Sequence, residues 1–416
     1  MKRLLFLAAG LALIAYVVYL YDLVEFFSHP ERVGFVKFDA VFREVGRCAI
    51  LLVFLLLFIV KPAAQPESQL PARPRGWAWS LGFLGIFLSL TAFVSYVNPH
   101  GMFPWEFVKS SGAALSSLPT QNRSEKIKLF NDLDNPPNIL ILGSSRAVGI
   151  PSARILANTG HDTFNMAVYS GGPLDYLTFG KFVYSQKETP NVLVVELIFP
   201  SLRVVETPMP VSMFPYSDSD KKFEMIDNVL HDVISIQSIS DTVYQLAYEA
   251  RFERPRQEDF LPDGTGIRMD MTEANYQAAF ERVRKNLDIN HKCVKLDDQG
   301  MVRLERLVTL ATENKSAIVF YRSPLNAAYL DTEGSRHPDI TKCESLFADY
   351  IANLLAQHPN LFYLDLTYYE PVTSLRENGF YDVHHLRPNA AQLVVDALTP
   401  EIQKAMDWAL TERSQP

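Results

Sequence analysis

Residues 138–146 read Asn138-Ile139-Leu140-Ile141-Leu142-Gly143-Ser144-Ser145-Arg146. Four apolar residues run without alternation and stop at a glycine, two hydroxyls and an arginine. A strand that is apolar on both faces belongs inside a parallel sheet with helices on either side. The turn after such a strand opens on the carboxyl edge of the sheet, where open α/β folds bind their ligands.

Working outward, apolar β-type runs recur at 163–168 (TFNMAV), 191–199 (NVLVVELIF), 317–321 (AIVFY) and 361–366 (LFYLDL). Helical patterns fall over 151–158, 173–186, 297–313, 339–357 and 388–409. Strands alternating with helices predict an α/β fold, a three-layer, doubly wound and mostly parallel sheet. The stretch 200–296 is too long for one crossover. It opens Pro- and Met-rich (TPMPVSMFPY), continues as an amphipathic pattern around 222–249 and turns at Pro262-Asp263-Gly264. It reads as an inserted subdomain, a lid or a partner surface; the Met and aromatic residues at 208–216 read as packing.

The chain has 416 residues, 48% hydrophobic and 21% charged, which excludes a disordered or fibrous protein. Its net charge of −8 argues against nucleic acid as a partner. Long apolar runs concentrate before residue 100: Leu4 to Leu20, Cys48 to Val60 with its flanks, and Trp77 to Val97. These lengths suit three membrane helices at about 4–21, 45–61 and 77–97; for the first, a cleaved signal peptide is the rival reading. Lys2, Arg3, Lys61, Arg73 and Arg75 place the N-terminus and 61–76 in the cytoplasm, against the opposing weight of Arg32, Lys37, Arg43 and Arg47. The expected organisation is a membrane anchor over 1–97, a connector over 98–135 and an extracytoplasmic (periplasmic) domain over 136–416 at a bacterial-type inner membrane. Cys48 falls in a membrane segment, which leaves Cys293 and Cys343 either to bridge or to stay as buried thiols.

Chemistry is sought in the loops after the strands. Gly143-Ser144-Ser145-Arg146 follows the first, Asn165 to Pro173 the second, and Tyr381-Asp382-Val383-His384-His385-Leu386 precedes the final helix. A hydroxyl, a small-residue turn and an Asp/His pair are the parts of acyl transfer: nucleophile, base with its orienting acid, and bare amides for an oxyanion. A second D-x-x-H at Asp288 and His291 sits in a charged helical stretch and reads as a solvated face. G-x-G-x-x-G, the P-loop and G-x-S-x-G are absent, as are H-E-x-x-H and paired C-x-x-C. No nucleotide, cofactor or metal is expected. Arg146, beside the hydroxyl pair, is a candidate contact for an anionic acyl donor or acceptor, with a salt bridge as its plainer reading. Arg322, at the end of the fourth strand, is a second candidate contact. His384 reads as a loop neighbour.

Taken together, Ser145 after the first strand, Asn165 to Gly171 after the second and Asp382-x-x-His385 before the last helix resemble the SGNH (GDSL-type) hydrolase superfamily over roughly 138–400. The resemblance implies a flavodoxin-like sheet, with Ser145 as nucleophile, His385 as base and Asp382 orienting it. Ser144 stands where the family has Asp. Gly171 falls one residue late for the family's oxyanion glycine, so Ser170 is its rival. The G-x-N-D block is missing; its place reads Glu196-Leu197-Ile198-Phe199-Pro200, which leaves Asn165 as the candidate oxyanion side chain. The G-S-S-x start, the anchor and the His-Leu after the Asp look most like the branch of the D-alanyl lipoteichoic acid transfer protein and the anchored partners of membrane-bound O-acyltransferases. That branch implies an extracytoplasmic serine acyltransferase serving an envelope glycan or lipid-linked acceptor, with a membrane-bound O-acyltransferase as partner. An esterase or deacylase, and a non-catalytic glycan- or partner-binding scaffold, are the competing readings.

Overall fold

The computed structural model describes residues 85, 88–97, 119–186, 189–197, 209–217, 242, 260–266, 281, 296–327, 338–382 and 384–415. The chain divides into two compact units, Met1–Pro99 with Asp227–Glu253, and His100–Ile226 with Arg254–Pro416. In the first unit, residues 88–97 are helical. Val94 and Val97 are buried there, while Leu88, Leu90, Phe93 and Tyr96 are exposed. The expected membrane helices at 4–21 and 45–61 lie outside the described residues, as does much of 77–97. Among the described residues, no helix is long and apolar enough to cross a membrane.

The second unit holds the sheet. Its strands are β1 (Ile139–Leu142), β2 (Thr163–Asn165), β3 (Val192–Glu196), β4 (Ala317–Arg322) and β5 (Leu361–Asp365). All neighbours pair in parallel, in the order β2-β1-β3-β4-β5. Alternation sorts the side chains of each strand between two cores. Leu140, Leu142, Leu193, Val195, Ile318 and Phe320 join one; Ile139, Ile141, Val192, Val194, Val319 and Tyr321 join the other.

Helix α1 (Pro119–Asn131), α3 (Pro173–Tyr184), α4 (Asp298–Glu313) and α5 (Pro338–Gln357) contribute to the first core. Helix α2 (Ser152–Thr159) and α6 (Pro388–Ser414) contribute to the second. This is the three-layer, doubly wound architecture predicted from the runs. The second and third runs are trimmed to Asn165 and Glu196 because the chain turns into loops at the carboxyl edge.

One expectation needs correction. The connector 98–135 contains α1, whose Ile127 and Phe130 lie in the core and whose Arg123 and Lys126 are fully buried. Arg123 makes a two-pronged ion pair with Asp175 on α3, Nε to Oδ1 at 2.7 Å and Nη2 to Oδ2 at 2.8 Å. Asp175 also accepts from the Gly172 amide at 3.0 Å, closing the first turn of α3. The Pro- and Met-rich stretch packs as expected: Val211–Tyr216 forms a 3-10 turn, Met213 is buried, and Tyr216 meets Phe182 edge-on at 5.3 Å. Cys343, buried on α5, is disulfide-bonded, its partner lying outside the described residues.

Removing one member of a buried ion pair strands the other charge without water. Arg123→Ala is expected to destabilise the sheet unit by about 3–5 kcal/mol, read from urea unfolding of the full-length protein. A loss under 1 kcal/mol would show that Asp175 finds another partner.

Candidate active site

The order β2-β1-β3 places a topological switch between β1 and β3, where connections leave to opposite faces and a crevice opens at the carboxyl ends. Ser145 stands there, in the turn that leaves β1. Ala147 and Val148 donate to the Ser144 carbonyl at 2.9 and 3.2 Å, so the chain reverses tightly around Ser145. Its Oγ lies 2.8 Å from His385 Nε2, although 240 residues separate them in sequence. His385 Nδ1 lies 2.6 Å from Asp382 Oδ2.

The D-x-x-H spacing works through a turn. Asp382 Oδ1 accepts from the amides of His384 and His385 at 3.0 and 2.8 Å, which folds the carboxyl back beside the imidazole. The Tyr381 amide donates to the His385 carbonyl at 2.8 Å, and Asn326 Nδ2, after β4, donates to the Asp382 carbonyl at 3.3 Å. Burial by itself pushes the Asp382 carboxyl up. The hydrogen bond and charge of His385, with the charge and amide of His384, outweigh that and hold it well below the ordinary carboxylate range.

The His384 ring lies against that of His385, tilted by 50° with centroids 4.2 Å apart. Asp382, His384 and His385 bring ligand atoms within 4.8 Å of one another, but Asp382 and His385 are committed to each other and to Ser145. The second D-x-x-H, Asp288 and His291, lies outside the described residues.

Behind the serine sits a residue the sequence reading passed over. Glu196, the last residue of β3, is fully buried where the family's G-x-N-D block was sought. Its Oε2 accepts from the Ser144 amide at 2.8 Å and the Ser144 hydroxyl at 2.7 Å; its Oε1 accepts from the Ser323 hydroxyl at 2.9 Å. It ties the ends of β1, β3 and β4 together. A lone acid closing the apolar run VLVVE was the available signal.

Two further glycines allow the loops to meet. A Cβ on Gly143 would fall 2.4 Å from Ala147 Cβ, and one on Gly171 would fall 2.4 Å from the Gly143 carbonyl.

Asn165 does a different job from the one expected. Its Nδ2 faces the carbonyls of Ala147, Val148 and Ile150 at 2.9, 3.2 and 2.9 Å, and its Oδ1 accepts from the Ala167 amide at 2.9 Å. With its amide so committed and fully buried, it holds the Ser145 turn in place and is not available to an oxyanion. Gly171 donates its amide to Val168 O at 3.0 Å, which leaves the exposed Ser170 at φ 56° as the second-loop candidate. Arg322 is likewise spent elsewhere. It reaches Asp365 on β5 at 2.8 Å and Glu344 on α5 at 3.5 Å, bracing those elements instead of facing a substrate.

Lys126 supports this frame from behind. It is fully buried and donates to the carbonyls of Asn165, at 2.6 Å, and Gly264, with its Nζ 4.2 Å over the Phe260 ring. Burial pushes its ammonium pKa down against the raising charges of Glu125 and Asp263. The 260–266 turn is thereby fastened to the Ser145 loop: Asn165 donates to Asp263 O at 2.9 Å and Gly266 to Val148 O at 2.7 Å. Gly264, at φ 77°, is required there, since a Cβ would lie 2.2 Å from Asn165 O.

No protein-family model and no curated protein matches the chain. Among solved structures, the chain is similar to a GDSL-like lipase from Bacteroides thetaiotaomicron. That pair is 12% identical over 68% of this chain and 98% of that one, with a TM-score of 0.35. It is also similar to a protein described as an acylhydrolase from Bacteroides fragilis, 11% identical over 69% and 96%, with a TM-score of 0.34.

Two outcomes are expected. Asn165→Ala leaves buried carbonyls and the Ala167 amide unpaired; it should cost about 2–4 kcal/mol in urea unfolding and slow the reaction of Ser145 with a fluorophosphonate. Asp382 has a folded pKa below its unfolded value of about 3.9, so its stabilisation is present above that pH and is lost as pH falls toward the folded value. The stability gap between wild type and Asp382→Asn should therefore be full at neutral pH and shrink below about pH 4. An equal gap at pH 7 and pH 3 would contradict the pairing.

Proposed function

We propose that the protein is a membrane-anchored, extracytoplasmic serine acyltransferase that moves an acyl group to or from an envelope glycan or lipid-linked acceptor. The observation that carries this reading is the continuous Ser145–His385–Asp382 chain, with contacts of 2.8 and 2.6 Å.

With Nδ1–H donated to Asp382, His385 presents Nε2 as the acceptor of the Ser145 proton. Ser145 Oγ attacks the carbonyl carbon of an ester or thioester while that proton passes to Nε2. Collapse of the tetrahedral adduct breaks the bond to the leaving alcohol or thiol, which departs with the proton and leaves an acyl-serine. An acceptor hydroxyl then gives its proton to His385, attacks the acyl carbon and restores Ser145. Asp382 stabilises the imidazolium in both halves. The amides of Ser145 and Ser170 are the donors assigned to the oxyanion.

The anchor rests on the three apolar runs before residue 100. An oxidising, extracytoplasmic setting is supported by the disulfide at Cys343, for which Cys293 is the natural partner, Cys48 belonging to an anchor segment. A multi-span O-acyltransferase that delivers the acyl group outward is the partner this arrangement calls for.

Hydrolysis is the second reading. Asp382 and His385 keep 15% and 19% of their side-chain surface exposed, so water has a path to an acyl-serine. A scaffold that merely kept the fold is opposed by the assembled triad.

Fluorophosphonate labelling of the full-length protein should modify Ser145, and Ser145→Ala should abolish it and lower acyl transfer by about 10⁵-fold or more. Wild-type transfer by Ser145→Ala would sink the assignment. Partition of an acyl-serine between water and an added glycan acceptor separates esterase from transferase.

A further inference from the structure

Arg146 is half-buried one residue past the nucleophile, in the crevice between β1 and β3. Its backbone amide donates to Ser144 Oγ at 3.3 Å. Its guanidinium makes no hydrogen bond or ion pair with any described residue. Several other arginines of this unit are committed: Arg123 to Asp175, Arg154 to Asp396, Arg322 to Asp365, Arg387 to the Phe380 carbonyl, and Arg413 to the Pro190 carbonyl.

The surroundings do not quench Arg146. Its charge bears on the phenols of Tyr176 and Tyr321, both fully buried, and the Tyr176 hydroxyl meets no hydrogen-bond partner among the described residues. The acid in that neighbourhood, Glu196, has both oxygens occupied by Ser144 and Ser323. A guanidinium half withdrawn from water with no described residue taking its donors is costly to keep. Its planar fork matches an oxyacid in two-point contact.

Building on the triad reading, we propose that Arg146 is the specificity residue of the site and that the substrate carries a carboxylate or phosphate close to the scissile acyl group. The anion belongs either to the acyl chain or to the alcohol it esterifies, and the same fork would hold both.

The test uses the full-length protein and two pairs of aryl esters. One pair, 4-nitrophenyl acetate and the 4-nitrophenyl monoester of succinic acid, places the anion on the acyl side. The other, phenyl acetate and 4-acetoxybenzoate, places it on the alcohol side. Phenol release is followed for wild type, Arg146→Gln and Arg146→Lys, normalised to the Ser145 sites that react with fluorophosphonate. Comparing variant with wild type cancels the intrinsic reactivity of each ester.

In at least one pair, the anionic-to-neutral ratio of kcat/KM should fall about 30-fold in Arg146→Gln, mainly through KM, with partial recovery in Arg146→Lys, an effect of the size expected for losing a charge-assisted contact. The affected pair tells which side bears the anion. Ratios unchanged within about twofold in both pairs, with Ser145 still labelled, would overturn the assignment of Arg146 and leave the triad standing. No turnover of any ester together with no labelling of Ser145 would overturn the triad, and this inference with it.

Discussion

A carboxyl group with no access to water must take its hydrogen bonds from the protein around it, and Glu196 takes three. Those donors come from the ends of β1 and β4, while the acid itself ends β3. The constraint therefore acts across the sheet just where the strands release their loops. Deprived of Glu196, the Ser144 amide and two hydroxyls would be left buried and unpaired, which costs more than the bonds contribute when made. The turn carrying Ser145 is built on that knot and cannot drift without breaking it.

A second support comes from the opposite side. Asn165, at the end of the short edge strand β2, gathers the carbonyls that follow Ser145, and Lys126 and the 260–266 turn close over Asn165. The serine is thus held between an acid on β3 and an amide on β2, with β1 in the middle. Rigid elements hold both flanks, as a site demanding sub-ångström placement requires.

Much of this was legible in the sequence. Strands buried on both faces announce themselves as unbroken apolar runs, and β1, β3 and β4 fall on NILIL, NVLVVELIF and AIVFY. The grouping of Ser145, Asp382 and His385 was legible through position, because each sits at a strand's carboxyl end or just before the last helix. What escaped was polar and internal. Arg123 and Lys126 look like surface charges in a stretch rich in Asn, Lys and Asp, and only the fold reveals that Asp175 and two carbonyls await them. The partners that hold Asn165 and Arg322 were hidden for the same reason. A side chain's type and strand position indicate the edge it occupies, but not which neighbour claims its hydrogen bonds first.

The separation of 240 positions between Ser145 and His385 has a consequence for synthesis. The serine leaves the ribosome long before the imidazole that meets its Oγ. Until the last strand has joined the sheet and α6 has docked, Ser145 is an ordinary alcohol. On the acyl-transfer reading proposed above, a half-made chain is chemically silent, and completion of the fold is the event that arms Ser145.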